Sequence, residues 1–339
     1  MRNTILSLSI CLILILQACS QTPDIKAIDK AVESAIYQSE QSLFEADFDK
    51  ALVLIAPTKF EKSEQFSDIH RVQLLIQELR IKGFQSILLR LENNATDRLY
   101  RLKKFYIPAT TTENPDIRAD YFLTLSSTYR SVGKKDSALL FANKARGLYT
   151  DEKKLDELAK LDANEISRKH NQFLAEGKRE EILSLIPTYR QLVESSRQHS
   201  TYALAYNTRH LAQVYRRQTR EFGKALELFQ ASLAARQEIG FKPFIPASYS
   251  SIADVYLAMG NYEMAIKIYS EAQALATEIG FIRYEYYPLL KIGDIYLAKE
   301  NTERAAEYFH KAQSIATVHD YTAAIKEVEA RLDNLKEGN

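Results

Sequence analysis

Apolar residues in the C-terminal half of the chain recur three or four positions apart, which is the spacing of one face of an α-helix. A glycine and an asparagine at 260 and 261 separate two such stripes, where a tight turn needs residues that tolerate positive φ. The pattern therefore predicts two antiparallel helices joined by a short turn. The first stripe is Ile252, Ala253 and Tyr256, and the second is Ala265, Tyr269 and Ala272.

The same pattern returns forty residues later. The tetrapeptide Glu-Ile-Gly-Phe at 238–241 is repeated at 278–281, and a looser copy stands at 318–321. A helical hairpin cannot bury its apolar stripe alone, so repeated hairpins must stack on one another. We therefore predict an all-α fold, an α-solenoid of antiparallel hairpins. The matching stripes of the second unit are Ile292, Gly293 and Tyr296, then Ala305, Phe309 and Ala312.

These features resemble the tetratricopeptide repeat family. The resemblance rests on the small residue and tyrosine of the first helix, the turn glycine, and the alanine–aromatic–alanine stripe of the second helix. It implies a superhelix whose first helices line a concave groove in which a protein or peptide partner lies. The sequence departs from the family in its period of about 40 residues, against 34, and in lacking a proline after the second helix.

Less regular copies of the pattern extend upstream, giving about seven hairpins in all. Residues 31–107 are expected to form degenerate N-terminal helical repeats, and 116–335 the main repeat array. The segment from Pro108 to Pro115 is polar and bounded by prolines, so it is predicted to be the loop between the two parts.

The first eighteen residues have the features of an export signal. Arg2 precedes a short apolar run, which is too short to span a bilayer as a helix, and Leu16 to Cys19 resembles the bacterial lipobox. By that resemblance Cys19 becomes the lipidated first residue of the mature chain, followed by a tether over 19–30. An ordinary secretory signal cleaved near Ala18 is the alternative.

The composition narrows the possible partners. Arg2 is the only charged residue among residues 1–18. Their removal therefore lowers the number of lysines and arginines from 45 to 44, which equals the 44 acidic residues. A neutral chain does not favour nucleic-acid binding. Attachment to a membrane is expected through the lipid, in the bacterial cell envelope, and the serine after Cys19 favours the outer membrane.

No signature of catalysis occurs in the sequence. It contains no glycine-rich phosphate loop, no nucleophile elbow and no His-Glu-x-x-His pair. Besides Cys19, the only cysteine is Cys11, so thiolate metal sites and cysteine nucleophiles are excluded from the mature chain. We therefore predict a protein that is not an enzyme and that has no cofactor or metal. The histidines are scattered and are interpreted as structural; they are His70, His170, His199, His210, His310 and His319.

The polar side of the predicted first helices carries the candidate partner-binding residues. They mix donors, acceptors and an aromatic ring, which suits an extended peptide or a partner helix. Arg209, Arg216 and Arg217 faintly resemble the clamp by which some family members hold a terminal carboxylate, and Arg130 is a further candidate. The tyrosine-rich segment 283–288 is an alternative contact site. The partner-binding set is Asn171, Arg209, Gln213, Arg216, Asp254, Tyr287 and Asp294.

The leading functional hypothesis is a membrane-anchored scaffold or adaptor that binds a protein or peptide in the bacterial envelope. Two alternatives remain open. One is an exported ligand-sensing repeat domain of a signalling system, and the other is an accessory lipoprotein of an outer-membrane transporter.

Overall fold

A computed structural model describes residues 25–60, 63–89 and 94–337, and these segments contain helices and short turns but no strand. The predicted all-α fold is confirmed. Cys19 and the predicted signal peptide lie outside the described residues. None of the described helices is long and apolar enough to cross a membrane.

Five helices make up the N-terminal unit, and its first two form an antiparallel pair. They are α1 (Ile25–Phe44), α2 (Phe48–Ile55), α3 (Asp68–Leu88), α4 (Ala95–Lys104) and α5 (Tyr106–Thr111).

The rest of the described chain is a row of helical hairpins. The hairpins are α6 (Pro115–Ser131) with α7 (Lys135–Asp151), α8 (Leu155–Ala175) with α9 (Arg179–Ser184) and α10 (Ile186–His199), α11 (Thr201–Val214) with α12 (Phe222–Glu238), α13 (Ile245–Ala258) with α14 (Tyr262–Ile279), and α15 (Ile282–Ala298) with α16 (Thr302–Val318). A last helix, α17 (Thr322–Glu337), packs on α16.

The turns within the hairpins follow from local chemistry. Gly260 ends α13 with φ of 76°, and the side chain of Asn261 then accepts a hydrogen bond from the backbone N–H of Met264, which caps α14. In the next hairpin Glu300 takes the positive φ and Asn301 supplies the same cap. The same turn therefore forms without a glycine, but Glu300 adopts a left-handed backbone conformation that is strained for a non-glycine residue.

Small residues let the two helices of a hairpin approach closely. Ala253 and Ala265 are completely buried. A Cβ built on Gly293 would lie 2.4 Å from the ring of Phe309, which is itself completely buried. The glycine in α15 is therefore a packing requirement of its contact with α16.

The N-terminal unit packs back against loops of the array that are far away in sequence. The ring of Phe241, between α12 and α13, lies 5.2 Å from that of Phe44 and 5.4 Å from that of Phe84, centroid to centroid. Phe281, between α14 and α15, belongs to the same apolar cluster. The described chain therefore has long-range contacts that a simple row of repeats lacks.

One sequence prediction about a boundary is wrong. The predicted loop from Pro108 to Pro115 is largely helical, because Pro108 lies in the first turn of α5, where its missing N–H would have no helical partner. Helix α1 begins at Ile25, within the range predicted as a tether over 19–30, and residues 19–24 lie outside the described residues. The division at residues 31–107 and 116–335 otherwise stays a prediction.

Candidate binding groove

Three of the predicted partner-binding residues meet on neighbouring first helices. Arg216, just after α11, places Nη1 3.1 Å from Oδ2 of Asp254 on α13. Tyr287 on α15 donates its hydroxyl to Oδ1 of the same carboxylate at 3.0 Å, and Tyr269 on α14 donates to it at 2.5 Å. One carboxylate thus joins three successive hairpins.

The burial of this cluster keeps it together. The side chains of Arg216 and Asp254 are only 16% and 13% exposed. Burial, and then the negative charge of Asp254, raise the pKa of Tyr269 and of Tyr287, so both hydroxyls stay protonated and donate. Nε of Arg216 is enclosed without an acceptor among the described residues. The cluster is therefore an internal strut with one unused donor.

A short π-helical turn over Tyr215–Thr219 positions Arg216 and Arg217. From Ala212 to Ala225 this hairpin is one residue longer than from Ala253 to Ala265. The π turn absorbs the extra residue, and Arg220 then takes φ of 59° to leave the helix. Such turns replace the i→i−4 hydrogen bond by i→i−5, and they occur often at functional sites.

Asp294, the counterpart of Asp254 forty residues later, is also neutralised within the chain. Arg331 of α17 reaches it at 2.8 Å, and Lys291 lies 3.4 Å away. Asp254 and Asp294 thus act as intramolecular partners of cations, and their carboxylates already have ligands.

The remaining predicted residues form a different part of the groove. Asn171 and Gln213 follow the buried residues His170 and Ala212 directly, as Asp254 follows Ala253, so they share its repeat position. Asn171 is exposed and Gln213 is half-buried. Neither forms a side-chain hydrogen bond to another described residue, and both are free to bind a ligand.

Arginines on α6, α8 and α11 lack carboxylate partners in the described part of the chain. Arg209 has its nearest polar contact with Nε2 of His210, at 3.5 Å. Burial lowers the pKa of Arg217, and the neighbouring Arg216 lowers it further; burial and then Arg168 do the same for Arg130. The groove between α6 and α11 therefore carries uncompensated positive charge, and sequence reasoning missed the contribution of Arg168.

Buried histidines lie beneath Arg209. The rings of His170 and His210 are 5.5 Å apart, and Nδ1 of His170 is 3.1 Å from the hydroxyl of Tyr189. Burial, and then the charge of Arg209, lower the pKa of both histidines, that of His210 well below its usual value. Both rings are therefore neutral at pH 7. No group of histidines and acids in the described residues could hold a metal ion.

The tyrosine-rich segment 283–288 forms the first two turns of α15. Tyr286 is buried and packs edge-on against Tyr321 at 5.3 Å, while the half-buried Tyr284 packs against Phe281 at 4.9 Å. A role of this segment as a contact site stays a prediction.

Comparisons with solved structures agree with this fold. Aspartyl phosphate phosphatase F from Bacillus subtilis is 14% identical, with 91% of this chain and 82% of that one covered and a TM-score of 0.50. The apo form of RapI is 15% identical, over 89% and 86%, with a TM-score of 0.50. A signal transduction ATPase with a tetratricopeptide repeat sensor, from Pyrococcus horikoshii, is 17% identical, over 85% of this chain and 42% of that one, with a TM-score of 0.51.

At these identities the likeness shows the fold alone. No curated protein matches the sequence. Two family models, each described as tetratricopeptide repeat, match residues 201–278 and 287–319. These spans coincide with α11–α14 and with α15–α16, the hairpins that carry the cluster around Asp254. The C-terminal part of the array is therefore built of tetratricopeptide repeats.

Proposed function

We propose that this protein is a non-catalytic adaptor that holds an extended, acidic segment of a partner protein in the groove of its first helices. The observation that carries the proposal is the run of arginines without carboxylate partners, in a chain whose acids and bases otherwise balance. An acidic partner would supply the missing charges, and electrostatic complementarity favours both encounter and register. The arginines are Arg130, Arg168, Arg209 and Arg217.

The groove combines these charges with neutral hydrogen-bonding side chains. Asn171 and Gln213 offer amide donors and acceptors at one repeat position, which suits the backbone of an extended peptide. Asp254 and Asp294 keep the neighbouring helices in register and do not contact the partner. The proposed contact residues thus come from those named in the sequence analysis, except Arg168, which sequence reasoning missed.

The proposal places the protein at the bacterial outer membrane, attached by a lipid on Cys19. The lipobox-like sequence before Cys19 and the serine that follows it support this location. A tethered adaptor searches a membrane surface for its partner at raised effective concentration.

Crosslinking and affinity purification from native membranes test the proposal. The variant Arg209→Gln/Arg217→Gln removes two groove charges and keeps polar side chains of similar length. Arg304→Gln, on the exposed face of α16, is the matched control. We expect wild type and the control to recover a defined envelope protein, and the double variant to lose it.

Recovery of the same partner by the double variant would refute the groove as the binding site. Recovery of no protein by wild type would refute the adaptor role and favour the sensing of a small ligand. Replacement of Cys19 by serine is expected to release the protein from membranes without affecting partner binding by the soluble form.

A further inference from the structure

A cavity of about 600 Å³ lies between α2, α3 and α4, and none of the residues that line it belongs to the repeat hairpins. Cavities of about 300–1,000 Å³ are the size that small-molecule ligands occupy. Leu74 and Leu75 are buried and Leu52 is half-buried, so the cavity can take an apolar group out of water. The apolar side chains that form most of its wall are Leu52, Ile55, Leu74, Leu75 and Phe105.

Cationic side chains line the same cavity. One face of α3 contributes residues 71, 78 and 82, and one face of α4 contributes residues 101 and 104. The cations are at least partly exposed, so their charged ends lie where the cavity opens to solvent. Glu78 is the only acid among the lining residues, although acids and bases balance over the whole chain. The four cations are Arg71, Lys82, Arg101 and Lys104.

Glu78 fixes two of these cations and cannot neutralise all four. Arg101 donates from Nη1 to Oε1 at 3.0 Å and from Nη2 to Oε2 at 2.7 Å, and Lys82 donates to Oε1 at 2.6 Å. Burial raises the pKa of Glu78, but the hydrogen bonds from Arg101 and Lys82 outweigh burial and lower the pKa overall, so the carboxylate stays ionised. Arg71 and Lys104 have no acidic partner in the described part of the chain. The mouth of the cavity therefore attracts an anion.

The lining favours an alkyl chain over a peptide. A peptide would bring backbone N–H groups that need acceptors once they are buried. Glu78 is the only lining side chain with an acceptor oxygen, and it already accepts three hydrogen bonds. An alkyl chain needs no hydrogen bonds. An apolar wall with cations at the mouth therefore fits an anionic amphiphile.

Exposed apolar residues lie next to the cavity along the chain. Tyr100 on α4 is 61% exposed, and Nζ of Lys104, which lines the cavity, is 4.4 Å from the centroid of its ring. Ile107 on α5, two residues after Phe105, is 72% exposed. Tyrosine rings are enriched at the boundary between membrane and water, and lysines near them contact anionic headgroups. This part of the surface therefore suits a bilayer.

We propose that the cavity binds one acyl chain of an anionic membrane phospholipid, with the headgroup phosphate held by the cations at its mouth. Arginine and lysine form charge-assisted hydrogen bonds to phosphate oxygens, and the aliphatic wall removes the chain from water. The bound lipid orients the N-terminal unit on the membrane. The proposal goes beyond the adaptor role and does not depend on the groove of the first helices.

Binding to vesicles tests the charged part of the site. The Cys19→Ser protein, which cannot be anchored through that residue, is sedimented with vesicles of equal parts phosphatidylcholine and phosphatidylglycerol, or of phosphatidylcholine alone. We expect binding to the mixed vesicles only, and weaker binding at higher salt. Arg71→Gln/Lys104→Gln should weaken it about thirty-fold, since each cation near an anionic surface contributes about five-fold. The control Lys50→Gln/Lys103→Gln removes two exposed charges of α2 and α4 that do not line the cavity, and it should bind like wild type.

Calorimetric titration with monomeric alkyl phosphates tests the apolar part. From octyl to decyl phosphate the affinity should rise by about four-fold for each methylene, because each one is buried. Ala56→Phe places a ring at a half-buried position of the wall and should abolish this rise. Leu52→Phe serves the same purpose if Ala56→Phe does not fold.

Equal losses in the two double variants would show nonspecific attraction to the surface and overturn the proposal. An affinity that is independent of chain length, or unchanged in Ala56→Phe, would also overturn it. If no lipid binds and Ala56→Phe loses the partner recovered from membranes, the cavity holds a protein segment and the lipid proposal falls. The groove variant Arg209→Gln/Arg217→Gln should bind vesicles like wild type, so the groove and the cavity can fail separately.

Discussion

The variant Asp254→Ala should reveal whether the predicted groove acid is a strut of the fold. It removes the carboxylate that pairs with Arg216 at 3.1 Å and that accepts hydrogen bonds from the hydroxyls of Tyr269 and Tyr287. Removing one partner of a buried ion pair costs about 3–5 kcal/mol, mostly because the other charge is left without a partner. Two unsatisfied tyrosine hydroxyls add to this loss, while residual exposure of Arg216 reduces it. We therefore expect a loss of about 4 kcal/mol.

The chain supplies its own control forty residues later. Asp294 occupies the same repeat position, but it is 30% exposed and its main partner, Arg331, is 23% exposed. Solvent screens such a pair, and exposed pairs contribute at most about 1 kcal/mol. Asp294→Ala should therefore cost about a quarter as much as Asp254→Ala. Asp254→Asn, which keeps an acceptor but removes the charge, should fall between the two, at about 2 kcal/mol.

Hydrogen exchange of the backbone amides of α13 and α15 is the suitable assay, because long repeat arrays do not unfold in a single two-state step. Urea unfolding followed by circular dichroism gives the global effect in parallel. If Asp254→Ala destabilises these helices no more than Asp294→Ala does, the strut is refuted. If stability is unchanged and partner recovery is lost, Asp254 contacts the partner directly.

Three further predictions concern the core and its ionisation. Burial, and then the charge of Arg209, keep the pKa of His210 well below 6.5, so the stability that its neutral ring contributes is complete above about pH 6.5 and is lost as the pH falls. As the pH is lowered from 7.5 to 5, the urea midpoint should therefore fall less steeply for His210→Gln than for the exposed control His310→Gln. Parallel curves for the two variants would contradict this. Gly293→Ala should lower stability by about 1–3 kcal/mol in thermal unfolding because its Cβ would meet the ring of Phe309, and a stabilising effect would refute the close contact. Tyr121→Phe should cost about 1–2 kcal/mol through loss of its buried 2.7 Å hydrogen bond to a carbonyl of α4, and an unchanged urea midpoint would count against that bond.

The hairpins were predictable because their determinants are local. A helical stripe, a turn residue and a cap each lie within a few positions of one another, so the stripe containing Ala253 and the turn at Gly260 predict their structure directly. The same locality misled the reading of Pro108. A proline ends a helix in its interior but is tolerated in its first turn, and the sequence does not mark where α5 begins.

The pairing inside the groove was not predictable in this way. Arg216 and Asp254 were predicted to lie on the polar side of first helices, but whether they face a ligand or each other depends on how neighbouring hairpins are stacked. The π turn after α11, which positions Arg216, adds to this difficulty.

The repeated tetrapeptide ending in Phe241 and Phe281 has a second role that periodicity alone does not reveal. Phe281 belongs to the apolar cluster of the N-terminal unit, and Phe241 packs against Phe44 and Phe84 of that unit. The third copy ends instead in Tyr321, which packs against Tyr286 in the C-terminal cluster. The copies that match closely are thus the ones that the N-terminal unit covers. The likeness of these two turns therefore reflects a shared docking surface as well as a shared hairpin. The N-terminal unit therefore packs on the ends of the hairpins that also carry Asp254.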